Sequence, residues 1–379
     1  MDIDNLLIIV TTISLFISLL LAFFLVTIKT KHKVSNLLFA VFLTLTAIDV
    51  SDPLFSLVSD GPSNMAMLRN SLAFLQLPVF YLYVLSVCYS DFRLQPKHLL
   101  HALPFLVVNL MVLPRFYMVD AASKIDFIMN RQTRVELQFT HILFHFQVIL
   151  YCITVFMLLR KAKKLYLENY AGKSIQSYNW LFQIAVVLTV LYLITLFKNI
   201  FKFSDYPNIS EYIKIAILLL QLFIVCWYLF KALYNPGLFQ NVDSKLKLVA
   251  DIISEEKNSG HFAENTKEDT KELSKLRHYM TAEKPFLNPS LTILEVSNAI
   301  QIPVRDLSVL INHTLGQHFY DFVNIYRIES AMQILKDPAK NKLTVLEILY
   351  EVGFNSKSSF NTAFKKHTGN TPTAYRKVL

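Results

Sequence analysis

Two groups of residues in this chain are placed to do chemistry, and they lie at opposite extremes of polarity. Near the C-terminus, "SKSSFNTAFKKH" at 356–367 sets hydroxyls, a carboxamide and three lysines within about three helical turns. Such groups hydrogen-bond base edges and neutralise phosphates, which is the chemistry of nucleic-acid recognition. The second group interrupts otherwise apolar stretches: Asp49, Asp52, Arg69, Asn109, His141 and His145, with Lys198 and Lys214. Ionisable groups inside a bilayer are costly and usually pair or line a cavity. The six residues from Asp49 to His145 are therefore candidates for an outward-facing ligand pocket. The plainer reading has Asp52, before Pro53, capping a helix end while the lysines reach the interface. His141 and His145, at i and i+4, could hold a metal ion together with Asp49. Paired histidines on a membrane helix more often hydrogen-bond locally, so no metal is expected. A Gly-rich phosphate loop, a nucleophile elbow and an obvious inverted repeat are all missing, which weighs against a membrane enzyme or transporter, and no cofactor is expected.

The elements that must position these residues follow from composition. The chain has 379 residues, 54% hydrophobic and 17% charged, with 30 Phe, 18 Tyr, 7 Gly and a mean hydropathy of +0.40. That balance is expected of a multi-span membrane protein. Seven apolar segments stand out, at about 6–28, 35–58, 71–89, 99–113, 137–159, 180–197 and 213–233. The fourth is short and bracketed by Pro104 and Pro114. The start "MDIDN" has no basic n-region and Ala-x-Ala is missing after the first apolar run, so that run is read as an uncleaved span. Cys88, Cys152 and Cys226 lie inside apolar runs without metal-like spacing and are read as small hydrophobes.

Charge divides the chain further. Residues 1–241 hold 19 Lys/Arg and 12 Asp/Glu, 242–270 hold 4 and 7, and 271–379 hold 14 and 9. The organisation is thus a membrane body at 1–234, a connector at 235–270 and a basic tail at 271–379. Lys29, Lys31 and Lys33 in one short loop, and Arg160, Lys161, Lys163, Lys164 and Lys173 in another, mark those loops as cytoplasmic. With seven spans, the N-terminus is then outside and the tail in the cytoplasm, where DNA is. In the connector, Phe239, Val242, Leu246, Val249 and Ile253 repeat with heptad-like spacing. This 239–253 stripe could pair two copies as a homodimer, or pack on its own protein or on lipid. The polar stretch 254–270 reads as a flexible tether.

In the tail, "LTILEVSNAIQIPVRDLSVLINHTL" gives two short amphipathic helices about a "QIP" break, with Leu291, Leu294, Val296 and Ile300 on the first and Leu307, Leu310 and Ile311 on the second. A longer helix, "FYDFVNIYRIESAMQILKD", follows with Phe319, Phe322, Ile325, Tyr326, Ile328 and Leu335 on its core side. A second pair then forms from "LTVLEILYEV", a turn at Gly353, and "SKSSFNTAFKKH".

These motifs, with "GFNSKSSFNTAFKKHTGNTPTAYR" above all, resemble the AraC/XylS family of bacterial transcription regulators over about 285–376. With the seven apolar segments, the resemblance implies an all-α protein: a seven-helix transmembrane bundle, then a cytoplasmic domain with helix-turn-helix units at about 291–315 and 343–367 joined by a linker helix at about 318–336. It implies DNA-facing positions at Arg305, Asp306, Ser308, Val309 and Asn312 in the first reading helix. In the second they are Ser356, Lys357, Ser358, Asn361 and Thr362, with Lys365 and Lys366 beside the phosphates. Val309 and Thr362 stand where the family often has arginine, which removes two cations from the interface. The partners implied are double-stranded DNA, the lipid bilayer and a small-molecule or membrane signal. The function implied is that of a one-component regulator in the bacterial inner membrane, not an enzyme. The competing reading is a membrane enzyme or transporter with a regulatory DNA-binding tail.

Overall fold

The structure, a computed structural model, describes residues 3–28, 33–57, 61–172, 175–202, 207–234 and 266–378. It divides into two compact units, Met1–Leu159 with Asn179–Asn241, and Arg160–Tyr178 with Val242–Leu379. Both are built of helices, and in the second unit Tyr170 and Thr292 form an isolated antiparallel bridge.

The first unit contains α1 (Ile3–Thr27), α2 (Lys33–Val50), the single turn α3 (Asp52–Phe55), α4 (Asn64–Ser71), α5 (Ala73–Cys88), α6 (Leu103–Val112), α7 (Ala121–Met129), the first part of α8 (Val135–Asn169), α9 (Ile175–Lys202, from Asn179 on) and α10 (Pro207–Tyr234). Among the described residues, seven helical stretches are long and apolar enough to cross a membrane: Asn5–Thr27, Lys33–Val50, Asn64–Cys88, Pro96–Tyr117, Val135–Asn169, Tyr178–Phe201 and Tyr212–Phe230. Large side chains such as Phe16, Phe23, Leu110, Ile142 and Phe223 point outward from them. An apolar surface of that kind needs lipid, and helices with internally satisfied backbones are what lipid permits. The third span begins at Asn64, not near 71, because the Ser63 hydroxyl accepts from the Ala66 amide (3.2 Å) and starts the helix early. Arg69 therefore lies inside a helix. The fourth span gains length from a 3-10 turn at Pro96–Ala102 and a π turn at Leu113–Tyr117; Pro104 sits in the first turn of α6, where no amide donor is needed, and Pro114 in the π turn.

Helix α8 has 35 residues, roughly 50 Å, well beyond the ~30 Å hydrocarbon core. Its last turns carry Arg160, Lys161, Lys163 and Lys164, yet bury Ala162, Leu165 and Tyr166.

In the second unit, α11 (Thr266–Ala282) leads to a 3-10 turn at Pro285–Leu287. There follow α12 (Ile293–Ile300), α13 (Val304–Val309, extended by a π turn at Leu310–Thr314), α14 (Phe319–Lys336), α15 (Val345–Glu351), α16 (Lys357–Thr368) and α17 (Pro372–Val378). The expectation of a flexible tether through residue 270 is corrected at its end, since Thr266–Thr270 are helical. Leu273, Leu276 and Met280 give α11 an apolar stripe that anchors it. The 239–253 stripe and the tether up to residue 265 lie outside the described residues.

The two helix pairs start alike. Thr292 and Glu295 form a reciprocal capping box at α12, and Thr344 and Glu347 form another at α15. Hydrogen bonds from the Thr344 amide and hydroxyl hold the Glu347 carboxyl below its usual range. The first pair turns through Gln301, in left-handed conformation, to Pro303; the second turns through Gly353 (φ 86°). Two apolar cores result. Leu276, Met280, Phe286, Val296, Leu307 and Phe319 belong to one, and Ile328, Leu335, Ile348, Leu349, Phe360 and Phe364 to the other. Helix α14 serves both, its first half facing one core and its second half the other. Leu294, expected on the core side, is exposed; Ile293 fills that place. Ile325 and Tyr326 are half-buried.

Candidate nucleic-acid interface

Helix α16 is held from beneath by Phe360 and Phe364, which pack ring to ring with Phe354 and Tyr375 at centroid distances of 5.2–5.6 Å. The Ser356 hydroxyl caps its start by accepting from the Ser359 amide (3.4 Å), and Gly369 ends it in left-handed conformation. With one face pinned, the other presents Lys357, Ser358, Thr362, Lys365 and Lys366 as exposed residues, with Ser356 and Asn361 half-buried beside them. Lys366 donates to the Asp321 carboxylate on α14 (2.8 Å). An exposed ion pair of this kind is worth little and is readily exchanged for a phosphate. The Tyr320 hydroxyl, its pKa pushed up by burial, reaches Asn324 and Ser359 and ties α14 to α16.

The first reading helix is poorer in charge. Arg305 is exposed with its Nε 4.0 Å from the Asp306 carboxylate, and Asp306 and Val309 are half-buried. Ser308, expected on the open face, is 4% exposed and turned inward. Asn312 donates to the Ser308 carbonyl (3.0 Å) and hydroxyl (3.2 Å), while its own side-chain oxygen lies 3.3 Å from His318 Nδ1. Ser308 lies between the core residues Leu307 and Leu310, so its hydroxyl is spent inside the unit.

One residue that motif reading did not single out organises this unit. Arg327 on α14 is 1% exposed, and burial lowers its pKa to about 10, so it is charged at neutral pH. Its Nε donates to the Phe286 carbonyl (2.7 Å), Nη1 to the Ala171 carbonyl (2.7 Å) and to Asn324 (3.2 Å), and Nη2 to the Asn288 carbonyl (2.8 Å). Its guanidinium also lies over the Phe354 ring at 5.5 Å. Carbonyl oxygens here take the place of a carboxylate partner: three are backbone atoms, and the fourth is the side-chain oxygen of Asn324.

The polar residues of the membrane unit form three groups. Arg69, 8% exposed, pairs with the Asp52 carboxylate and donates to Asn70 (2.9 Å), and the second Asp52 oxygen accepts from Lys214 (3.0 Å). Asp49, an exposed side chain, hydrogen-bonds Gln76, which accepts from the Tyr192 hydroxyl (2.9 Å). Asp49, Asp52 and Arg69 are thus brought together. Asn109 belongs to a second group: it donates to Ser71 (3.0 Å) and to the Phe105 carbonyl (2.8 Å) and accepts from the Tyr117 hydroxyl (2.5 Å). In the third, His145 Nδ1 bonds the His141 carbonyl (2.7 Å) and Nε2 lies 3.4 Å from Asn199. Among the described residues no group of three His, Cys, Asp or Glu side chains could hold a metal ion. Asp52→Asn should leave two cations sharing no carboxylate and lower stability by about 1–3 kcal/mol, discounted because Asp52 is half-exposed. Thermal unfolding of the purified protein in detergent checks this, and an unchanged midpoint would show the triad to be dispensable.

Comparison with known sequences places this geometry. A family described as "Helix-turn-helix domain" matches residues 296–378. The chain is 30% identical over 88 residues to the uncharacterized HTH-type transcriptional regulator YdeC of Bacillus subtilis (strain 168), which is 23% of this chain and 29% of that protein. No solved structure matches. These findings correct the narrower AraC/XylS expectation: they support a helix-turn-helix domain similar to that of YdeC and not specifically an AraC/XylS one. The physical reason is visible in the structure. Gly353, Phe360, Phe364 and Tyr375, which carried the resemblance, serve the turn and the core, a demand that helix-turn-helix packing makes generally. The chain is a multi-pass membrane protein bearing a C-terminal helix-turn-helix domain like those of transcription regulators.

Proposed function

We propose that this chain is a one-component transcription regulator of the bacterial inner membrane, with its N-terminus outside and the helix-turn-helix unit in the cytoplasm. The observation that carries the proposal is α16: a capped, core-anchored helix whose open face bears Lys357, Ser358, Thr362 and Lys365, in the same chain as seven membrane-length helices. Both helix pairs meet the DNA, α13 with Arg305, Asp306, Val309 and Asn312, and α16 with Ser356, Lys357, Ser358, Asn361 and Thr362. Helix α14 sets their separation, so the two can enter successive major-groove faces about 10 bp apart. The lysine-bearing α16 dominates affinity, and α13 contributes shape and apolar contact at Val309. The signal is read in the membrane unit, where Asp49, Asp52 and Arg69 cluster on neighbouring elements. It must favour one conformation of that unit over another. A homodimer through 239–253 would place two such domains on paired half-sites.

Substitution on α16 tests the reading. Lys365→Ala should weaken binding about equally on all sequences and reduce the slope of log affinity against log salt by about 0.9. Asn361→Ala should instead relax preference at one base pair, by about 1–3 kcal/mol. Titration of the full chain in lipid nanodiscs against DNA from around its own coding region separates the two. If both variants bind as the parent does, α16 is not the reading helix.

A further inference from the structure

The loop that leaves α8 does not end in solvent. The Ala171 amide donates to the Leu291 carbonyl (3.0 Å), and Tyr170 and Thr292 form an antiparallel bridge. Ala171 is 1% exposed and part of the same apolar core as Leu276, Met280 and Phe286. Its carbonyl takes one arm of Arg327, whose other arms hold Phe286 and Asn288 just ahead of the first helix pair. The Phe354 ring beneath Arg327 belongs to the turn of the second pair. A single guanidinium therefore joins three things: the end of α8, the approach to the first helix pair and the turn of the second. Buried guanidinium donors must be satisfied, so removing the Ala171 carbonyl leaves Nη1 short of an acceptor and loosens every other member of the joint.

We propose that the Tyr170–Ala171 edge is a docking surface through which α8 holds the helix-turn-helix unit, so that a displacement of α8 is felt at both reading helices. The inference rests on the regulator reading for its consequence, though not for its geometry. It adds a route of coupling distinct from the connector at 235–270. Helix α8 suits the task because it is unbroken from Val135 to Asn169 and so carries an axial shift without an intervening hinge. Its final turns are also fixed: Asn169 donates to the Leu165 carbonyl (2.9 Å), and Tyr166 stacks on Tyr170 at 5.3 Å.

Hydrogen exchange of the full chain in lipid nanodiscs, with and without DNA from around its own coding region, tests the proposal. In the parent protein the amides of 170–172 should be protected as strongly as those of 288–292. Ala171→Glu should raise exchange in both segments by roughly ten-fold to a hundred-fold, the loss expected for an orphaned buried donor and a breached core. Ala171→Val, which adds bulk without charge, should do so more mildly. In both variants α16 should keep its protection, and affinity for DNA should change by about ten-fold or more. Free exchange of 170–172 in the parent overturns the docking. Displaced edges with DNA affinity within two-fold of the parent overturn the coupling. Should α16 lose protection in the glutamate variant, the valine variant decides by the same criteria. If the parent chain binds no DNA, the regulator reading fails and the coupling with it, while the exchange of 170–172 still decides the docking.

Discussion

Replacing Arg327 with alanine is expected to destabilise the C-terminal unit by on the order of 3–5 kcal/mol, enough to unfold a domain of ordinary stability. Two buried backbone carbonyls, of Phe286 and Ala171, and the part-buried one of Asn288 would lose their donor at once, and the side chain would leave a void beside the Phe354 ring. Orphaned buried acceptors cost about 1–3 kcal/mol each, although their losses do not add fully. Arg327→Lys separates charge from geometry. Lysine keeps the cation but lacks the rigid fork that reaches three carbonyls in different directions, so it should recover less than half of the loss. Chemical denaturation of the purified protein, followed by hydrogen exchange in 286–292 and 353–364, measures both. A lysine variant as stable as the parent would show that charge alone is what the joint needs. An alanine variant as stable as the parent would remove Arg327 from the account.

Gly353→Ala should be nearly as damaging. At φ 86° any side chain is strained, and a Cβ there would lie 2.5 Å from the Phe286 carbonyl oxygen and 2.8 Å from that of Leu287. Both are backbone atoms, and the first accepts from Arg327, so no flexible side chain can give way. The expected loss is about 3 kcal/mol or more, with DNA binding lost alongside, because the turn sets the angle between α15 and α16. Gly369 provides the comparison: its φ is 78°, and a Cβ there would meet nothing within 4 Å. Gly369→Ala should therefore cost only the conformational penalty, roughly 1 kcal/mol. Equal losses at the two glycines would mean that the close approach to Phe286 is relieved without consequence.

The parts of this molecule written in local pattern could be read from the sequence. The apolar spans, the paired Leu-Thr starts of α12 and α15, and the turn at Gly353 all rest on residues close together in the chain. What could not be read depends on distant partners. Arg327 meets Ala171 across 156 positions, and three of its four acceptors are backbone carbonyls, which leave no mark on residue type. The third span starts early through a hydroxyl at Ser63, and α11 begins inside an acidic stretch whose composition argues for a tether. Of the residues expected to face DNA, the charged Lys357 and Lys365 are exposed on α16, as their residue types suggest. Ser308 is not exposed: the neighbouring Asn312 draws its hydroxyl inward. Among the polar residues of the membrane unit, only the fold distinguishes the Asp52–Arg69–Lys214 triad from the separate networks around Asn109 and His145.

The central claim is that a membrane-embedded chain reads DNA with its C-terminal helix pairs. Its most direct test is the binding of the full chain, in lipid nanodiscs, to DNA fragments from around its own coding region over a range of salt concentrations. Preferred sites with two half-elements about 10 bp apart are expected. So is a log–log salt slope of about −3 to −4, with Arg305, Lys357, Lys365 and Lys366 each displacing a counterion. Binding without salt dependence, or with no preference over unrelated DNA of the same length, would contradict the claim.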